Sequence, residues 1–413
     1  MIQVKTQRVV VTGMGAITPL GATAPSFWSA VKGGQCGIAP LCAYDTSTQA
    51  AKLAAEVTAD TADLLTPAEL RKMDRFTQFA VIAAREAVSD SGLTADNTDL
   101  NRVDVLVASG IGGMATTVRE QNRGLERGFD KISPFYIPMT IANIAAGQIA
   151  IEHGLRGDCS CIVSACASSA HAIGEAMRHI RHGYADVVVC GGSEATVIPL
   201  AMGGFTSMQA LHLGDDPLRA SIPFDAERSG FVLGEGAGIL VLESLDHARA
   251  RGAQVYAEVA GFGAGSDAYH ITAPEPTGAG AISSMRRALL DADLTPADVD
   301  YINAHGTSTP LNDKSEALAI RTVFDNQAIP PVSSTKSMTG HLLGAAGAIE
   351  AIICARALQE GFIPPTINYR IPDPECELDV VPGEGRLAPL EVALSNSLGF
   401  GGHNATLILI RMS

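Results

Sequence analysis

Residues 164–192 read SACASSAHAIGEAMRHIRHGYADVVVCGG, a helical pattern that runs into a strand pattern. Ala, Ser and Gly dominate its first half, and a helix built from such small residues lets neighbouring elements approach closely. The β-branched run Val187-Val188-Val189, closed by Cys190-Gly191-Gly192, has the unbroken apolar character of a strand covered on both faces. A weak echo lies at 339–361, TGHLLGAAGAIEAIICARALQEG, where another small-residue helix begins. Each helix has a reactive side chain at its mouth, Cys166 in one case and His341 in the other, as expected of a duplicated α/β unit.

Working outward, VVVTG (9–13), VDVLVA (103–108) and ATLILI (405–410) read as further buried strands, and 72–91 and 280–293 as helices. No Pro/Ser-rich linker or charge block divides the chain. The expected organisation is therefore two intimately packed halves, 1–250 and 251–413, that meet between LDHARARGA and YAEVAGFG.

The composition agrees. Of 413 residues, 46% are hydrophobic and 18% charged, below the roughly 25% charge of ordinary soluble proteins, which excludes disorder. With 42 Gly against 12 Phe, 7 Tyr and 1 Trp, the core is built from aliphatic and small side chains. A net charge of −15 argues against nucleic acid as a partner. The eight cysteines form no CxxC and suggest no disulfide framework, which points to a reducing compartment. The start, MIQVKTQRVVVTGMG, lacks an apolar region followed by a small-residue cleavage site. The charge-free stretches 132–151 and 195–214 contain Pro and polar residues and read as buried helices or loops, not membrane spans. A cytoplasmic protein without membrane insertion is expected.

Cys166 follows an apolar run and precedes a helix, whose N-terminal N–H groups stabilise a thiolate or an oxyanion. An inert buried cysteine is an equally good reading of that local pattern, and it suffices for the other seven. His179, His182 and His247 sit on charged helical stretches and read as solvated. His305, in NAHGTSTP, and His341, in TKSMTGHLLG with Lys336 five residues earlier, instead occupy strand-to-helix junctions where α/β proteins place ligands. One Cys and two His at three such junctions suit thiol chemistry assisted by imidazole. Zinc is the weaker reading, because no close ligand pair supports it. The run NSLGFGGHN (396–404) is either a mobile flap with N–H groups aimed into a pocket or a tight turn between two strands.

In order and along essentially the whole chain, SACASSA with Cys166, NAHGTSTPLNDKSEA with His305, SSTKSMTGHLLGAAGAIE with Lys336 and His341, and SNSLGFGGHN with Phe400 resemble the β-ketoacyl-[acyl-carrier-protein] synthases. VVVTGMGAITPLG, RKMDRFTQFA, KISPFYIP and PFDAERSGFVLGEGAG add to the similarity, which is nearest to the elongating enzymes of type II fatty acid synthesis. The resemblance implies the thiolase-like fold, a duplicated five-layer α/β/α/β/α arrangement, and a homodimer across strands near 160–190. It implies a decarboxylative Claisen condensation in which Cys166 carries the acyl chain and malonyl-loaded carrier protein supplies two carbons. His305 and His341 would donate hydrogen bonds to the enolate oxygen, and the N–H groups of Cys166 and Phe400 would form the oxyanion hole. Lys336, with Glu350, would act electrostatically. Phe400 would gate the acyl pocket together with residues 266–273, and Ile111 would influence chain length. No organic or redox cofactor is required; a monovalent cation at Asn303, Glu350, Ser395 and Asn396 is implied.

The resemblance also places carrier-protein docking at Arg71, Lys72 and Lys131. Asp130 and Gln209 stand where the family often has Arg, which implies a specialised carrier or weaker docking to a housekeeping one. Leu398 stands where Phe is common and His403 where Thr is common, so the packing of the gate differs. A ketosynthase of a type II polyketide or aryl-polyene pathway is the alternative within the fold. Thiolase chemistry needs a second catalytic Cys, a non-catalytic partner subunit would lack Cys166, and a Cys protease has no use for two His with a Lys and a Phe-Gly gate.

Overall fold

The computed structural model describes residues 7–325 and 327–412; the first six residues of the N-terminal stretch read above lie outside the described residues. Ten strands form one sheet: β1 (Val9–Ile17), β2 (Val103–Ala108), β3 (Cys159–Ser160), β4 (Val187–Glu194), β5 (Gly236–Ser244), β6 (Ala257–Ser266), β7 (Tyr301–Asn303), β8 (Val332–Ser333), β9 (Val392–Gly399) and β10 (His403–Arg411). Their order across the sheet is β8-β7-β9-β10-β6-β1-β5-β4-β2-β3. Counted from its outer edge, the first half runs β3-β2-β4-β5-β1 and the second runs β8-β7-β9-β10-β6, so each strand of the first half has a counterpart five places later. Pairing directions repeat as well. β2 is parallel to β3 and β4, and β7 is parallel to β8 and β9. The halves join through a short antiparallel contact, Val10 with Glu258 and Val11 with Ala257.

Five layers follow from where the helices lie. Helices Ser168–Arg181 and Ala346–Glu360 are packed against each other and against strands of both halves, which is why both are so rich in Ala and why almost all of the second is buried. Helix Arg75–Ser91 covers the outer face of the first half and helix Ala279–Asp291 that of the second. Both outer helices press so closely on the sheet that a Cβ on Gly15 would lie 2.0 Å from the Ala83 carbonyl oxygen, and one on Gly263 would lie 1.9 Å from that of Ser284. TGMG at 12–15 and AGFG at 260–263 are thus one packing device used twice.

Several boundaries differ from the sequence reading. The helix expected over 72–91 begins at Arg75, because the buried Asp74 caps it by accepting from the Phe76 N–H and binds the Thr116 N–H at 2.9 Å. The helix expected over 280–293 ends at Asp291, and Asp293 has a left-handed φ of 57°. Of the strands near 160–190, only β3 is a free sheet edge, since β4 is flanked by β2 and β5. Among the described residues no helix is long and apolar enough to cross a membrane.

Candidate active site

The chain leaves β3 and turns sharply at Ala165–Ala167 before the central helix Ser168–Arg181. Ala165 takes a φ of 51°, an uncommon conformation for a residue with a side chain. Ser168 pins the turn: its hydroxyl accepts from the Ser164 N–H at 2.8 Å and donates to the Ala165 carbonyl at 2.6 Å. Cys166 therefore sits at the mouth of a 14-residue helix and is only 7% exposed. Burial pushes its thiol up to about 11, while the Lys336 charge, the Phe400 N–H and its own N–H pull it back. Both N–H groups thus face the sulfur. Gly399 makes the approach of Phe400 feasible, since a Cβ there would lie 2.9 Å from Ser164 O and 3.1 Å from Cys166 N. Gly399→Ala is expected to push the Phe400 N–H away and slow acylation of Cys166 by roughly 10²-fold, as loss of one oxyanion donor does; stopped-flow acylation measures it.

His305 follows β7 and His341 precedes the second central helix, and both are buried. Their rings meet edge to face with centroids 5.2 Å apart. The His305 and Gly306 N–H groups each donate at 2.8 Å to the buried Glu316 carboxylate, which sets the loop after β7. Backbone bonds to Val232 and Gly234 hold His341, and Phe231 packs edge-on against its ring at 5.3 Å. Burial and the nearby Lys336 charge hold both imidazoles well below their ordinary range, so they are neutral at physiological pH. Lys336 Nζ lies 3.4 Å from His305 Nδ1 and forms a buried ion pair with Glu350. An ammonium can only donate, so Nδ1 accepts and the imidazole proton resides on Nε2. Cys166, His305, His341 and Phe400 line one cavity of about 340 Å³.

Phe400 lies at the tip of the β9–β10 hairpin, half-buried and 6.4 Å from the Phe205 ring. NSLGFGGHN forms the tight turn between strands, and the Phe400 N–H at its tip is aimed into the cavity as the other reading expected. Its backbone is tied to residues 266–273 by Asp267 N to Gly402 O at 2.9 Å and Gly401 N to Ile271 O at 2.8 Å, with Asn404 clamping Asp267 at 2.7 Å. Leu398 lines the cavity, and the exposed His403 faces away beside Gly401. Ile111 packs on an apolar cluster that contains Cys166, Met202, Phe231 and Leu343.

Asn303 and Ser395 are register partners on β7 and β9, beside Asn396. Among the described residues the buried Asn303 Oδ1 and Glu350 Oε2 atoms have no hydrogen-bond partner, while Asn396 Oδ1 accepts from Thr406 at 2.9 Å. Arg71 and Lys72 are exposed and border a groove of about 440 Å³ with Arg119, Arg123 and Phe135, and Lys72 Nζ sits 5.8 Å from the Phe135 ring. Lys131 is exposed on the adjoining turn Phe129–Lys131, as is Asp130.

Sequence reasoning missed Glu316, Glu194, Phe231, Arg119 and Arg123. The signal for the arginines was present: VREQNRGLER repeats Arg at i, i+4 and i+8 on one helix face. His179 and His247 are not merely solvated; they bind the buried carboxylates of Asp104 at 2.9 Å and Glu243 at 2.7 Å. The pseudo-symmetric partner of Cys166 is Gly344, not His341: Leu343 has a φ of 46° to match the 51° of Ala165, and each begins a tight turn that leads into a central helix.

Comparison with known proteins gives the following. The model for "Beta-ketoacyl synthase, N-terminal domain" matches residues 6–248, and that for "Beta-ketoacyl synthase, C-terminal domain" matches 256–370. The 3-oxoacyl-[acyl-carrier-protein] synthase 2 of Synechocystis sp. is 49% identical over 98% of this chain and 99% of its own. That of Staphylococcus aureus strain N315 is 46% identical over 97% and 98%. Among solved structures, the ishigamide ketosynthase/chain length factor aligns with a TM-score of 0.93 at 37% identity, over 99% of this chain and 100% of the other. A type II polyketide ketosynthase solved with its acyl-carrier protein aligns at 0.90 and 34%, over 98% and 100%.

Proposed function

We propose, from the premise that this chain belongs to the β-ketoacyl synthase family, that it elongates a fatty acyl chain by two carbons through decarboxylative condensation with malonyl-loaded carrier protein. One observation carries the division of labour: Cys166, with two N–H groups on its sulfur, shares one cavity with two neutral imidazoles. The Cys166 sulfur attacks the acyl thioester carbonyl, the N–H groups of Cys166 and Phe400 hold the oxyanion, and the carrier thiol leaves with a proton. The malonyl unit then loses CO₂. The electron pair of the broken C–C bond passes to the thioester oxygen as an enolate, which the imidazole N–H groups stabilise; for His305 that donor is Nε2–H. The enolate carbon attacks the Cys166 thioester, the C–S bond breaks, and the thiolate is regenerated. Decarboxylation supplies the carbanion, so the chemistry calls for no organic cofactor.

Lys336 supports both halves of this cycle, by favouring the thiolate and by fixing the His305 tautomer. Lys336→Ala removes the positive charge and raises the Cys166 thiol further, so alkylation by iodoacetamide at pH 8 is expected to slow by about tenfold per unit of that rise. An unchanged alkylation rate would contradict the role. Around this pair, Asn303 Oδ1, Glu350 Oε2, Ser395 and Asn396 would hold a monovalent cation, which suits the unpaired oxygens. It would offset the second Glu350 oxygen and brace β7 against β9.

We place the enzyme in the cytoplasm as a homodimer formed through the free β3 edge, served by an acidic carrier protein. The groove between Arg71, Lys72, Arg119 and Arg123 gives that carrier a positive surface on an otherwise acidic molecule, and it offsets the Asp130 and Gln209 departures. Reversing Arg119 and Arg123 to Glu is expected to raise KM for acyl-carrier substrates by about tenfold or more and to leave turnover of a short acyl-pantetheine thioester unchanged. Equal losses with both substrates would place the arginines elsewhere. The polyketide reading draws on the 34–37% identical structures; a fully reducible 3-oxoacyl product after one condensation separates it from repeated extension.

A further inference from the structure

Glu194, the last residue of β4, is fully buried; its charge pushes the Cys166 thiol upward, but none of the steps above uses it. Among the described residues its carboxylate is met by neutral donors: the Gly110 N–H at 2.8 Å, the Gly344 N–H at 3.1 Å, the Ser109 hydroxyl at 3.1 Å, and the Ile111 N–H. Ser109 also accepts from the Gly112 N–H at 3.0 Å, so the whole loop after β2 is gathered around this one group. Burial pushes Glu194 up to about 7, and these donors are what hold it down against that cost.

The duplication shows what the site is. The turn at Ala165–Ala167 packs against the end of β9, and the turn at Leu343–Ala345 packs against the end of β4. Gly344 is therefore the counterpart of Cys166. Where the Cys166 N–H of the catalytic turn faces the sulfur, the Gly344 N–H of the silent turn faces a resident carboxylate. Glu194 fills the second anion nest of the fold. Its two loops carry Ile111 and Leu343: Leu343 lines the catalytic cavity and shares an apolar cluster with Cys166, and Ile111 packs against that same cluster.

We infer that Glu194 is a positioning residue that, as a buried hydrogen-bond acceptor, clamps the Ile111 loop onto the Leu343 turn and thereby sets the acyl chain length that Cys166 accepts. The inference rests on the condensing reading of Cys166. Glu194→Gln keeps the shape but turns an NH₂ toward N–H donors; Glu194→Ala empties the nest, which formate can refill. The experiment loads each variant from a mixed pool of short and long acyl-carrier thioesters and weighs the acyl groups on Cys166. Glu194→Gln is expected to change the long-to-short ratio by about tenfold or more, in the range that one methylene of pocket space produces. Formate is expected to return Glu194→Ala toward the wild-type ratio in a saturable way. An unchanged ratio in Glu194→Gln, whatever its melting temperature, overturns the proposal, as does a soluble, folded Glu194→Ala whose altered ratio formate does not move. Absence of acyl-enzyme from the wild type would instead refute the reading of Cys166.

Discussion

Cys166→Ala is expected to abolish condensation, with a loss of roughly 10⁴-fold or more, because no other group in the cavity can carry the acyl chain. Seven further cysteines exist, but none is placed to substitute. Cys190 and Cys354 are fully buried in a strand and a helix, and burial drives both thiols strongly upward. Cys36, Cys42, Cys159, Cys161 and Cys376 lie outside the cavity. The substitution should fold normally: the Ser168 hydroxyl bonds that shape the turn do not involve sulfur. Circular dichroism and melting temperature close to wild type, with no 3-oxoacyl product by mass spectrometry, are the expected pair of results. Retained product formation would sink the assignment.

The second large effect concerns the imidazoles. His305→Ala and His341→Ala are each expected to lower condensation by about 10²–10⁴-fold while acyl transfer to Cys166 persists at a reduced rate. The reasoning is that negative charge appears on the malonyl thioester oxygen only in the second half-reaction, whereas the first half-reaction has its own N–H donors. Rapid-quench assays of acyl-enzyme and of released CO₂ separate the two. Loss of acylation with decarboxylation intact would reverse the roles. Because both rings are held below 6.5, decarboxylation should remain level as pH falls from 8 through 6.5, and decline only below that. A mechanism that required imidazolium would show a rate rising through that window. The same burial makes the fold less stable as pH drops below about 6.5, since unfolded imidazoles bind protons that the folded ones refuse.

Much of this was legible before any coordinates, and the reasons are local. The Val-rich strands and Ala-rich helices announce themselves through composition and period, and the echo between 164–192 and 339–361 marks the duplication. Cys166, His305 and His341 stand out because each interrupts an apolar pattern at a strand-to-helix junction. The remainder depends on juxtapositions that one-dimensional reading does not carry. The Cys166–Gly344 equivalence rests on two left-handed φ values, and only the packing of the two halves brings Glu194 to both Gly110 and Gly344, 84 and 150 residues away. Likewise, Arg119 and Arg123 gain meaning only when their helix is laid beside Arg71 and Lys72 across a groove.

Mass spectrometry of the Cys166 peptide through one cycle tests the central claim most directly. Wild-type protein is incubated with acyl-carrier protein, then with malonyl-carrier protein. The account predicts a single acyl adduct on the peptide containing Cys166 after the first step, discharged after the second with stoichiometric CO₂ and a 3-oxoacyl product two carbons longer. An adduct on any other residue, or an adduct on Cys166 that malonyl-carrier protein does not discharge, would contradict it.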